Sequence, residues 1–340
     1  MEDEIEKKPE VKQLNLMAII GFSGKVPEGL ILHPDNETLI FPIGSQIIIR
    51  NVLTRQDSFL RGHDNDISTM ALSKSGKYLA SGQNTFSGFK ADIIIWDLTT
   101  LSLIHRFSIH KVIIQSLDFS FNDKYLVSIG GRDDNNLIVW DVQTGKALSG
   151  ATAGTAFVRQ VKFFNQHDSM FVTCQDYGIR IWSVDYDIKK MTHIDVNFGN
   201  LKRVLLCFVI EQLDKFAYFG TQSGDILEVD LVNAIYKRIG PVKKLFSQGV
   251  ITIKMLPNSD LLVGSGDGTI AKIGFNDFRI KNEGKLLGGV TSITLTAESS
   301  YMFVGTNQSN IYWVETSSLK SEIRTTCHCD SINDIQFPYQ

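Results

Sequence analysis

His110, Ser128 and Asp134 are the side chains a serine hydrolase needs: a base, a nucleophile, and a carboxylate to orient the base. They lie 18 and 6 residues apart, and Trp140 follows 6 residues after the aspartate. The same types recur along the chain. His63, Ser81 and Trp96 repeat the pattern with Lys90 in the aspartate position. Asp176 and Trp182 repeat it without a histidine, and Ser265 and Asp267 without the tryptophan. A catalytic triad does not recur in this way, so the pattern predicts a structural tetrad. In it Asp134 orients His110, and the Trp140 indole N–H is satisfied through Ser128, because buried polar groups need partners.

Other chemistry finds little support. Cys327-His328-Cys329 offers soft metal ligands, but alternate residues of a strand point to opposite faces, and no second Cys/His pair lies nearby. There is no GxxxxGK[ST], HExxH, GxSxG or helix-opening GxGxxG. Residues 264–268, GSGDG, read as a hairpin turn and lack the helix that a phosphate cradle requires. The expectation is no catalytic residue, no cofactor and no metal.

The elements that must position the tetrad are short strands. Residues 108–141 hold three apolar runs rich in β-branched and aromatic residues, each too short for a helix. Asn122-Asp123 and residues 133–136 supply turns, and a fourth run follows Gly145. This is one antiparallel sheet with Trp140 as its fixed point. The tryptophan position recurs as Arg50, Trp96, Trp140, Trp182, Val229, Ile273 and Val314, at steps of 46, 44, 42, 47, 44 and 41 residues. A period of about 40–45 residues with a His…Trp-Asp signature predicts an all-β fold, a seven-bladed β-propeller of the WD-repeat type.

The propeller is expected over residues 14–326, after a charged tail at 1–13. Outer strands are expected at 14–22, 55–60, 101–108, 146–150, 189–196, 235–239, 282–287 and 319–326, one more than seven blades need. The surplus strand 14–22 is placed to complete the last blade or to belong to a second propeller. Ser331 to Phe337 reads as an inner strand with no blade after it. Residues 327–340 are therefore expected to open a second propeller in a longer parent chain.

Composition narrows the function. A net charge of −3 and a pI near 6.2 argue against sequence-independent nucleic-acid binding. Four cysteines (Cys174, Cys207, Cys327, Cys329) are too few for a disulfide framework and point to a reducing compartment. The N-terminal residues lack the apolar core of a secretory signal, and the longest apolar run, 204–210, is too short to span a membrane. The segments DNDIS, KVIIQ and AFVRQ, which open inner strands, gather no carboxylate cluster at a channel mouth, so no enzyme is expected.

Two surface features suggest partner binding. The hairpin at 82–92, GQNTFSGFKAD, is longer than its counterparts and carries Phe86 and Phe89 beside Lys90. Aromatic rings in a polar, glycine-containing loop predict a docking element unless they fold back onto the blade. Lys243 and Lys244, in the link GPVKKLF, could join Lys272, Arg279, Lys281 and Lys285 in a basic sector, although Asp277 and Glu283 dilute it to a mixed-charge surface.

The run ASGQNTFSGFKADIIIWD resembles the cilia- and flagella-associated protein fifty-two family, WD-repeat proteins of motile cilia. AIIGFSGKVPEGL, GPVKKLFSQGV, LLVGSGDG, GGVTSITL and TCHCDSINDIQFP carry the same resemblance, which spans residues 14–340. It implies two consecutive propellers and no reaction. It also implies a structural role as a microtubule inner protein, bound to tubulin in the lumen of the axonemal doublet and stabilising it for motility. The implied partners are tubulin, other axonemal inner proteins and the second propeller of the same chain. The implied location is the cytoplasm and cytoskeleton of the cilium or flagellum, with the propeller itself a monomer. The competing expectation is a soluble peptide-binding adaptor in cytosolic or ciliary assembly and transport complexes.

Overall fold

Short runs with apolar residues at successive positions make strands whose two faces are both covered. Tyr125–Gly130 is the clearest case, with all six residues buried. Outer strands are polar and open to solvent, as in Lys190–Asp195. The computed structural model describes residues 19, 21–241, 243–327 and 334. Among the described residues, 28 strands form seven four-stranded antiparallel sheets, and there is no helix. Each sheet takes four consecutive strands, so the blades are residues 31–61, 67–107, 114–152, 158–195, 205–240, 250–285 and 290–325. The seven-bladed propeller expected from the repeat is the observed fold.

The repeat also sets the register. The seven residues in the tryptophan position pair with Leu39, Leu79, Leu126, Phe171, Ala217, Leu261 and Met302, in every blade on the strand before. Neighbouring residues on a strand then serve different interfaces. Leu126 and Trp140 pack against blade two, while Val127 and Val139 pack against blade four. Each of the seven apolar clusters joins two adjacent blades.

The ring closes between blades seven and one without exchange of a described strand. Leu30 N–H donates to Ser292 Oγ at 3.3 Å and Leu32 N–H to Thr294 Oγ1 at 3.0 Å. Phe22, Phe41, Phe303 and Ile311 fill the joint. The expected outer strand at 14–22 is corrected only at its described residues. Ile19, Gly21 and Phe22 lie in no strand, and the outer strand of blade seven is Ser321–Thr325. Phe22 is drawn into the apolar joint, and its N–H donates to Cys327 Sγ at 3.3 Å, so that this backbone is unavailable to a sheet ladder. The rest of that run, the tail 1–13, and residues 328–333 and 335–340 of the expected second propeller lie outside the described residues.

Polar clamps tie several blades together at the turns between their first and second strands. The Asp123 carboxylate accepts Lys74 N–H at 2.7 Å and Ser75 N–H at 3.0 Å from the preceding blade. Asp214 accepts Asn165 N–H at 2.7 Å and Gln166 N–H at 2.8 Å, and Asn36 Oδ1 accepts Ala297 N–H at 2.7 Å. Asn36, Asp123 and Asp214 all adopt positive φ, which Asn and Asp tolerate better than other side chains. Asp214 is buried, so its removal strands two backbone donors. Asp214→Ala is expected to lower stability by about 1.5–3 kcal/mol, with Asp214→Asn losing less, in denaturant unfolding. An unchanged midpoint for the alanine variant would show that the clamp is idle.

Candidate functional site

In blade three the four expected residues meet. His110 Nδ1 lies 2.5 Å from Asp134 Oδ2, His110 Nε2 lies 2.7 Å from Ser128 Oγ, and the Trp140 indole N–H donates to Ser128 Oγ at 2.8 Å. With Nδ1–H donating to Asp134, the neutral ring accepts the Ser128 O–H at Nε2. Burial disfavours the Asp134 carboxylate, but its His110 contact outweighs that and holds the carboxyl below its usual range. Ser128 is fully buried and already accepts the indole N–H, so its oxygen has no access to a substrate. The ring of Trp140 stacks on Phe107 of blade two with centroids 4.2 Å apart, joining the polar chain to an interblade contact.

The other blades vary this unit. In blade two the Trp96 indole donates to Ser81 Oγ at 2.8 Å, and His63 Nε2 lies 2.7 Å from the same oxygen. The aspartate's place is taken by Gln83, whose Oε1 lies 2.8 Å from His63 Nδ1, and not by Lys90. Lys90 is exposed, and its backbone bridges to Lys111. Burial pushes the His63 pKa down, which suits a neutral partner such as Gln83. In blade four the Trp182 indole donates to Thr173 Oγ1 at 2.9 Å, while Asp176 accepts Arg159 Nε–H at 2.9 Å. In blade six Ser265 Oγ donates to Asp267, which also holds Lys285 at 2.8 Å. Blade five has a variant that the tryptophan spacing missed: Thr221 donates to Asp225, which accepts Arg203 Nε–H at 2.9 Å. The TQSGD run at 221–225 carried the signal, two residues later than the expected aspartate position.

The candidate docking surface lies on the face where these histidine loops and second hairpins emerge. Phe86 and Phe89 are 72% and 64% exposed, so neither ring folds back onto the blade. Their loop is held from the side. Thr85 N–H donates to Val112 O at 2.6 Å, Val112 N–H to Phe89 O at 3.1 Å, and Ala91 N–H to His110 O at 2.8 Å. Gly88 (φ +90°) makes the bend, which a side chain would oppose by conformation and not by crowding. Lys90 and Lys111 are both exposed beside the rings.

Lys243 and Lys244 are exposed too, but the basic sector is neutralised. Lys244 pairs with Glu283 at 2.5 Å, Lys281 with Asp260 at 2.8 Å, and Arg279 with Asp277 at 3.6 Å. Among the described residues no group of three His, Cys, Asp or Glu could hold a metal. His328 and Cys329 fall outside them, and Cys327 accepts the Phe22 N–H.

Residues 56–314 match the family model described as the first β-propeller of echinoderm microtubule-associated protein. The chain belongs to this propeller family. It is 42% identical over its whole length to Cilia- and flagella-associated protein 52 of Sus scrofa, covering 55% of that relative. It is 43% identical over 96% of its length to the protein of the same name from Chlamydomonas reinhardtii, covering 53% of it. The chain thus spans about half the length of these relatives. The resemblance read from the hairpin and its companion runs is therefore upheld: the relatives it matches over nearly its whole length are named as cilia- and flagella-associated. A solved structure described as that of U3-55K superposes with a TM-score of 0.68 at 17% identity, covering 88% of this chain and 93% of that one, which attests the propeller fold alone.

The tetrad yields a stability prediction. Trp140→Ala is expected to cost about 3–5 kcal/mol by loss of buried ring volume. Ser128→Ala is expected to cost about 1–3 kcal/mol, because it leaves the indole N–H and His110 Nε2 unpaired. Both are read from denaturant midpoints, and wild-type midpoints would remove the tetrad's structural role.

Proposed function

We propose that this propeller is a structural component of motile cilia that docks on tubulin inside the axonemal doublet and reinforces its wall. The observation that carries the reading is the braced, exposed Phe86–Phe89 pair beside Lys90 and Lys111 on a stiff ring. Aromatic anchors supply much of the energy of protein interfaces, and flanking cations favour an acidic partner surface. Tubulin is such a partner. The family description names a microtubule-associated protein, and the relatives' names point to cilia and flagella. Lys243 and Lys244 would contribute a peripheral contact, with Lys244 exchanging Glu283 for an acidic group of the partner. Neighbouring inner proteins would complete the assembly, and the propeller enters it as a monomer.

Stepwise extraction of axonemes tests the location. Detergent and high salt should leave the protein in the pellet, and only dissolution of the doublet wall should release it. Release by detergent alone would indicate a soluble adaptor. The Phe86→Ala, Phe89→Ala double variant tests the surface. It should melt like the parent and bind doublets at least about tenfold more weakly, a loss of about 1.4 kcal/mol or more. Unchanged binding would remove the hairpin from the interface.

A further inference from the structure

The segment before blade one runs into the middle of the ring. Gly24 (φ +60°) lies so close to the Thr306 carbonyl of blade seven that a Cβ there would collide with it. Gly29 N–H donates to Val26 O at 3.0 Å, closing a turn, and Glu28 N–H donates to Thr291 O of blade seven at 2.9 Å. The turn directs the Glu28 side chain into a central cavity of about 760 Å³.

There the carboxylate meets a matched set of donors. Its Oε2 lies 3.3 Å from both Lys162 Nζ and Gln160 Nε2, on the inner strand of blade four. Its Oε1 lies 3.4 Å from both Lys254 Nζ and Thr252 Oγ1, on the inner strand of blade six. Each oxygen thus faces one ammonium and one neutral donor. The Glu28, Lys162 and Lys254 side chains are only 20%, 20% and 28% exposed. Asp118 and Cys207 also border the cavity. Desolvation works against the Glu28 carboxylate, but Lys162 and Lys254 overcome it and bring its pKa down to about 2. Without the Glu28 carboxylate between them, the two largely buried ammonium groups would repel each other, with Asp118 left as the neighbouring carboxylate of Lys162.

We infer that the channel contains a carboxylate-binding site, built from Lys162, Gln160, Lys254 and Thr252, whose resident ligand is the chain's own Glu28. Residues 23–29 are then a plug that joins blades four, six and seven across the ring and keeps outside carboxylates from the site. The site is separate from the Phe86 hairpin and does not depend on the role proposed for it.

Chemical rescue tests the assignment. Glu28→Ala vacates the site while leaving its donors in place, and acetate is the probe. In thermal unfolding at pH 7 and equal ionic strength, Glu28→Ala should melt about 5 °C or more below the parent in chloride. About 0.2 M acetate should then raise the variant by several degrees and leave the parent within about 1 °C, as expected for a ligand of the native state. Adding Lys254→Ala to Glu28→Ala should abolish the acetate response. If Glu28→Ala does not fold in chloride, the refolding yield in acetate against chloride gives the same readout. Equal acetate effects on parent and variant, no gain in refolding yield, or a variant that melts with the parent would overturn the site.

Discussion

Packing of one blade face against the next is the interaction on which everything else in this structure depends. A sheet whose second strand buries all of its residues, as Tyr125–Gly130 does, cannot leave either face to water. Each of the seven apolar clusters therefore belongs to two blades at once, and a blade is stable only when both neighbours are in place. An open row of such blades would leave two apolar faces uncovered, and closing the ring removes both. Phe22 and Leu30 bring the start of the chain into that last joint, beside Phe303 and Ile311 from its far end.

The polar networks are subordinate to this packing and refine it. Trp140 lies in the contact with blade two, and its indole N–H would be a buried orphan without Ser128. Ser128 is fixed by His110, and His110 by Asp134. Arg50 in blade one solves the same positional problem differently. Its guanidinium is bound to Asp57 at 2.7 and 2.8 Å and lies 5.3 Å from the centroid of the Phe41 ring. Val229, Ile273 and Val314 fill the same position with wholly apolar side chains, so it does not require an indole, and where a polar end is present, as in Trp140 or Arg50, it is satisfied.

Much of the fold was legible because its determinants are local. Strand alternation, turn residues and the spacing of the tryptophan position each depend on residues close in sequence, and they locate Val229, Ile273 and Val314 correctly even where no tryptophan remains. The tetrad of blade three was legible for the same reason. Gln83 was not, because the spacing rule looks for an acid after the turn and the acceptor here stands before it. The clamps of Asp123 and Asp214 act between blades and looked like ordinary turn residues. Glu28 was out of reach altogether, since its partners Gln160 and Lys162 lie 132 and 134 residues away with nothing local to announce them. Of the apolar run before it, which reads as a strand, the described residues Ile19, Gly21 and Phe22 lie in none, and Phe22 is buried in the joint between blades seven and one.

The bracing of the 82–92 loop has a kinetic meaning. A free loop of this length would sample many shapes, and a partner would have to wait for, or induce, the one that presents both rings. Here the backbone is fixed on both sides of the rings by the strand-like contacts with residues 110–113. The remaining ordering on contact is mainly rotation of two phenyl side chains, each costing on the order of 1 kcal/mol. In the docking role proposed for it, such a surface would engage without a slow rearrangement step, and its residence time would be set by how well the partner fits the rings.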